Sequence, residues 1–159
     1  MRKNLAFSLI AVLVLFLGGC FPSFDSEAEE HFRQGLEYER QAVHDLAVEE
    51  FTEAVELDPE YYFAYYNRAL VYYRLGNLDR SLADYSSAIA LQPANAYWIF
   101  ERGLVFWEAG DADKAISDLE KAMEAGLPRD YRQRAEEGIK QLKLWGPQAP
   151  PNLCDSCPG

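Results

Sequence analysis

Residues 62–95 read YFAYYNRALVYYRLGNLDRSLADYSSAIALQPAN, and the same arrangement of small and large apolar residues recurs 34 positions earlier and 34 later. Gly35, Ala69 and Gly103 share one column, and Tyr38, Tyr72 and Phe106 a second. Ala47, Ser81 and Ala115 form a third, Phe51, Tyr85 and Leu119 a fourth, and Ala54, Ala88 and Ala122 a fifth. The three copies stay aligned without an insertion. A fixed period of this length marks stacked helical units, each of which buries its apolar face only against its neighbours. Inside a copy, Phe51, Ala54 and Val55, or Tyr85, Ala88 and Ile89, recur at i, i+3 and i+4, the spacing of one helical face.

Each copy breaks near its middle. Gly76-Asn77 and Gly110-Asp111 supply a residue tolerant of positive φ followed by a capping side chain, as expected where one helix stops and another starts. The first copy has Ala42-Val43-His44-Asp45 there, which predicts an irregular turn with Asp45 as its cap. Asp58-Pro59 and Gln92-Pro93 end their copies, because proline disfavours helical conformation in the residue before it. In the third copy Gly126-Leu127-Pro128 brings the proline one residue late and predicts a modified exit. Ser26 with Glu29 has the spacing of a capping box for the first helix. After the copies, Tyr131, Ala135, Ile139, Leu142 and Trp145 form one stripe, with Arg132, Glu136, Lys140 and Lys143 pointing elsewhere. This is an amphipathic helix suited to covering the last apolar face, with Trp145 expected to close the array beside the stop at Gly146.

The columns, the 34-residue period and the closing prolines resemble the tetratricopeptide repeat, from Ala28 to about Leu127. The resemblance implies an all-α fold: a right-handed α-solenoid of three helix pairs within 27–128 (28–61, 62–95 and 96–128), a capping helix over 129–146 and a flexible Pro- and Cys-bearing tail over 147–159. It implies too that the first helix of each pair lines a concave groove for a peptide or helix of a protein partner. The family's groove columns fall on Phe32, Leu36 and Glu39, on Phe63, Tyr66, Leu70 and Tyr73, and on Tyr97, Phe100, Leu104 and Trp107. Family members that clamp a C-terminal carboxylate use Lys, Arg and Asn in such columns; here only Asn67 matches, the other key places being Phe, Tyr or Leu. Aromatic residues at helical spacing also serve as core, and the two roles divide this stripe in a proportion that packing decides. Where the family often has Leu, this chain has Gln34, Arg68 and Arg102, followed 16 residues later by Glu50, Asp84 and Asp118, so Arg–Asp pairs between packed helices are expected.

The chain opens with Arg2 and Lys3, runs from Leu5 to Leu17 with Ser8 as the single polar residue, and reaches Leu17-Gly18-Gly19-Cys20. That apolar run has 13 residues, short of the ~20 that cross a bilayer core, and it suits a cleaved secretion signal. Its end resembles the lipobox of bacterial lipoproteins. The resemblance implies removal of residues 1–19, lipid on Cys20 and a short tether over 20–26 at an extracytoplasmic membrane surface, outer or cytoplasmic.

Without Arg2 and Lys3, 13 basic residues face 26 acidic ones, a formal charge of −13. Nucleic acid is excluded as a partner, since sequence-independent binding rests on neutralising phosphates with Lys and Arg. His31 and His44 lie in no zinc-ligand spacing, and no nucleophile motif or Gly-rich phosphate loop is present, so the sequence calls for no metal, no cofactor and no enzymatic role. Cys154-Asp155-Ser156-Cys157 suits a small disulfide loop outside the cytoplasm, with free thiols, a shared metal or redox exchange as the other readings. Two functions follow: a membrane-anchored protein-binding scaffold or assembly adaptor, or a permanent accessory subunit of an extracytoplasmic membrane-protein complex.

Overall fold

The computed structural model describes residues 26–146; the expected signal segment 1–19, Cys20, and the tail with Cys154 and Cys157 lie outside the described residues. The described span holds seven helices: α1 (Glu27–Arg40), α2 (His44–Leu57), α3 (Tyr62–Arg74), α4 (Leu78–Leu91), α5 (Ala96–Glu108), α6 (Ala112–Glu124) and α7 (Arg129–Trp145). No strand occurs among the described residues. α1 packs on α2, α3 on α4 and α5 on α6, and the second helix of each pair packs on the first of the next, ending with α6 on α7. The chain is an all-α solenoid of three helix pairs and a capping helix.

The small-residue column is where the helices of a pair approach most closely. A Cβ built on Gly35 would lie 2.6 Å from the ring of Phe51, which is itself fully buried. Ala69 fills the equivalent place in the second pair with no exposed surface.

The mid-copy turns share one geometry. Gly76 N–H donates to Tyr73 O at 2.9 Å and Asn77 N–H to Tyr72 O at 2.9 Å; Gly110 and Asp111 repeat this onto Trp107 O and Phe106 O at the same distances. This is the glycine-closed helix end in which the last free carbonyls are satisfied. Ala42 and Val43 make the same bonds onto Glu39 O and Tyr38 O, both at 2.9 Å, and Ala42 adopts φ 58° to do so. The first turn is therefore regular in its hydrogen bonds and irregular in its residues. Asn77 and Asp111 accept from the backbone N–H of Arg80 and Lys114, at 3.3 and 3.2 Å. The N-cap of α2 is Val43, not the expected Asp45, and it makes no side-chain capping bond. Asp45 is the second residue of the helix, where its charge complements the positive end of the helix dipole. At the start of α1, Ser26 Oγ accepts from Glu29 N–H at 3.2 Å, one half of the expected box.

Both expected Arg–Asp pairs form. Arg68 grips Asp84 with two bonds of 2.7 and 2.8 Å and donates a third, at 2.9 Å, to Thr52 Oγ1 of the preceding pair. Arg102 does the same with Asp118, at 2.7 and 3.1 Å, and with Ser86 at 3.1 Å. The hydroxyls of Thr52 and Ser86 are doubly used, each also donating at 2.6 Å to the carbonyl one turn back. The next residue in that column, Glu120, pairs with Lys143 of α7 at 3.1 Å. In the first pair Glu50 takes His31 at 2.7 Å.

α7 buries Ala135, Gly138, Ile139 and Leu142. Ala135, Ile139 and Leu142 join Phe100, Trp107 and Leu119 in one core cluster. Trp145 does not close the array: it is 73% exposed, beside Leu144 at 67%. α7 has 17 residues and the α6 beneath it 13. At 1.5 Å per residue its last turn overruns its support by about 6 Å.

An alanine with left-handed backbone costs about 1 kcal/mol, and a missing N-cap about as much again. Ala42→Gly with Val43→Asn should therefore raise the melting midpoint by roughly 5–10 °C and slow amide exchange in α1 and α2. An unchanged midpoint would mean that the first turn is relaxed by another route.

Candidate protein-binding groove

α1, α3 and α5, the first helices of the three pairs, carry the columns singled out as a groove. Phe32, Leu36, Tyr66, Asn67, Leu70, Tyr73, Tyr97 and Leu104 are half-buried, and Phe63 is 46% exposed. Phe100 and Trp107 are not groove residues. They are 0% and 1% exposed and belong to the core beneath α7. Periodicity places them on the right face of α5, and the capping helix then covers that face. Tyr131 comes over the top, 5.6 Å from the Phe100 ring and 5.1 Å from Tyr97.

The rings form a continuous chain across the array. Phe51 touches Phe32 (5.8 Å), Phe32 touches Phe63 (6.5 Å), and Phe63 meets Trp98 edge-on at 6.1 Å. Trp98 stacks on Tyr66 at 5.3 Å, Tyr66 reaches Tyr97 at 6.5 Å, and Tyr97 reaches Tyr131. Such pairs contribute ~0.5–1.5 kcal/mol each beyond their area, so the aromatic surface holds its own side chains in place. Trp98, 4% exposed, escaped the sequence reading. Its column holds Glu30 and Ala64 in the other copies, and that lone jump in size was the available signal.

The arginines around the groove are engaged within the protein. Arg33 pairs with Glu30, Arg74 with Glu39, and Arg40 with Glu37 at 2.7 Å. Tyr73 donates to Glu108 at 2.5 Å, in the same register as Arg74 on Glu39, so neighbouring first helices are laced together near their C-terminal ends. The Asn67 amide donates to Phe63 O of its own helix at 2.7 Å. That spends one donor of the one side chain that matches a carboxylate clamp.

Glu101 is a half-buried acid among tyrosines. Burial raises its carboxyl above the usual range, while the Tyr97 hydroxyl and the Arg134 charge pull it partly back. Burial, then the Glu101 charge, push the Tyr66 hydroxyl up to about 12 and that of Tyr97 further. At the other end of the groove, between the first and second pairs, an open cleft of about 580 Å³ is walled by Phe32, Tyr61, Tyr62 and Phe63 and rimmed by Glu29, Asp58 and Glu60. Among the described residues no group of three His, Cys, Asp or Glu is placed to hold a metal ion. No helix there is long and apolar enough to cross a membrane.

The sequence matches the tetratricopeptide repeat (TPR) family over residues 32–96 and again over 66–131. The chain is a TPR protein. No curated protein matches it. Among solved structures, it is similar to the first TPR of Spaghetti (RPAP3) bound to an HSP90 peptide, with a TM-score of 0.67 and 22% identity over 74% of this chain and 94% of that one. The Yersinia enterocolitica type III secretion chaperone SycD, in complex with a peptide of the translocator YopD, gives 0.68 and 16% over 73% and 92%. The TPR2B domain of yeast Sti1, in a complex with pHsp70, gives 0.66 and 21% over 74% and 96%. At these identities the likeness is one of fold.

The half-buried acid in the TPR groove has a testable sign. A carboxyl raised on folding contributes stability that is fully present below the ordinary carboxylate range and is lost as pH rises through the raised value. Glu101→Gln should thus melt a few degrees above the wild type at neutral pH, with the difference closing as pH falls toward 4. Thermal melts across that range measure it, and a gap independent of pH would show that Glu101 is solvated.

Proposed function

We propose that this TPR protein is a membrane-anchored protein-binding scaffold or assembly adaptor. Its groove holds a peptide or helix of a partner, and lipid on Cys20 keeps it at the extracytoplasmic face of a bacterial envelope membrane. One observation carries the groove: partly exposed Phe, Tyr and Leu side chains from three successive first helices lie along one aromatic wall that the protein's own ring contacts keep ordered. Two proteins of the same fold were solved with peptides bound, which supports the reading. The anchor rests on the lipobox-like Leu17-Gly18-Gly19-Cys20. Two or more acyl chains give stable attachment where one is marginal.

Photo-crosslinking residues at positions 63 and 70 of the groove, with positions 53 and 90 on exposed turns of α2 and α4 as controls, test the groove in intact cells. Adducts to a polypeptide at 63 and 70 and none at the controls are expected; the reverse pattern would move the binding surface to the second helices. Cys20→Ser should abolish acyl labelling and shift the protein from the membrane to the soluble fraction. Wild-type protein recovered soluble and unlabelled would sink the anchor.

A further inference from the structure

The cleft between the first two helix pairs differs from the rest of the groove in one respect: its walls are aromatic and its charge is entirely of one sign. Phe32 and Tyr61 lie 4.9 Å apart at 52°, and Phe63 adds a ring 6.5 Å from Phe32 that is 46% exposed. Glu29, Asp58 and Glu60 stand at the rim, and no Lys, Arg or His lines the cleft among the described residues. None of the three carboxylates forms an ion pair among the described residues. The Asp58 carboxylate accepts the backbone N–H of Glu60, at 3.0 Å.

Acidic residues near helix starts commonly do no more than complement the helix dipole, and α1 and α3 both begin beside this cleft. Their two N-termini supply about half a positive charge each, roughly enough to offset one of the three carboxylates. A surplus of about two negative charges remains over a half-exposed aromatic surface. The field reaches the cleft wall: the Tyr61 hydroxyl is pushed up to about 12 by burial and then by the charges of Glu29 and Asp58.

We propose that this cleft is a receptor for one cationic side chain, arginine or lysine, carried by the segment that the groove holds. The inference rests on the groove reading and sharpens it. Ring faces attract a cation within about 6 Å of their centroids, and the carboxylate rim lies where its charged end returns toward solvent. Arginine fits better than lysine, because a planar guanidinium stacks on a ring while offering in-plane donors to carboxylates. A terminal carboxylate on the partner is disfavoured for the same reason. The net charge of −11 steers basic segments toward the protein at long range.

The test uses the full chain in detergent and fluorescent nine-residue peptides of alternating leucine and serine whose central residue is Arg, Lys, Gln or Glu. Binding is read by anisotropy at low and at physiological salt. Cation–π attraction and two exposed ion pairs together amount to roughly tenfold in affinity. The Arg peptide should therefore bind about tenfold tighter than the Gln peptide, with Lys between them, Glu weakest and the Arg advantage reduced by salt. Glu29→Gln with Glu60→Gln should erase the Arg advantage while leaving the Gln peptide unchanged. Glu60→Lys should turn the preference toward the Glu peptide, and circular dichroism should show both variants folded. Equal binding of all four peptides, or an Arg advantage that survives in the charge-neutral variant, overturns the cation receptor and leaves the groove standing. Binding of none of them, with no adducts at positions 63 and 70, overturns both readings.

Discussion

Arg68 touches three helices at once. Its guanidinium holds Asp84 across the pair it belongs to and Thr52 in the pair before, with the rings of Tyr65 and Tyr72 near it at 5.7 and 5.9 Å. The Arg68 and Asp84 side chains are only 13% and 9% exposed. A buried charge of this kind is costly when its partner is lost, by about 3–5 kcal/mol. The interaction is therefore less a source of stability than a fixed geometry: α3 and α4 cannot slide on each other without leaving an unpaired ion inside, and the bond to Thr52 registers that pair on the one before. Arg102, Asp118 and Ser86 repeat it one pair on, and Lys143 with Glu120 ends the series at the capping helix. The seating of α3 on the first pair and of α5 on the second, two of the helices that carry the groove, is registered by this relay.

Much of that was legible in the sequence because it follows from columns. A 34-residue recurrence fixes which residues meet across a pair, and Arg and Asp 16 apart, twice, leave little choice of partner. The turns at Gly76 and Gly110 were equally plain. What periodicity does not carry is depth. Phe100 and Trp107 lie on the groove face of α5, yet α7 returns across that helix and buries them, a relation between elements far apart in the chain. Trp145 fails for the opposite reason, since the stripe continues regularly past the point where α6 has anything to offer it. Nor does periodicity carry charge pairing along the groove, where Arg33, Arg40 and Arg74 each find an acid nearby. In the first copy, where Gln34 and Glu50 occupy the columns of the Arg–Asp pairs, His31, one turn earlier on α1, reaches Glu50.

The result is a polar asymmetry along the groove. At the third pair, Tyr131 and Arg134 of α7 roof α5, and the acid that remains there, Glu101, is enclosed among hydroxyls. At the junction of the first and second pairs no comparable roof stands over Phe63 among the described residues, and the carboxylates there are exposed. A segment lying along the groove therefore meets different chemistry at its two ends, which is what a binding surface needs in order to fix direction as well as location.

The placement of the indoles bears on how the molecule reports on itself. The chain has three tryptophans; Trp98 and Trp107 are both buried in α5, and Trp145 stands almost free at the end of α7. Intrinsic fluorescence is thus a local gauge of the third pair and its cap. Fraying of α1 and α2, whose first turn is the least well capped, leaves the indole emission untouched and surfaces only in the amide ellipticity. Emission and ellipticity that part company on heating would accordingly mark sequential opening of the array from its N-terminal end, in a chain whose nearest-neighbour construction permits it.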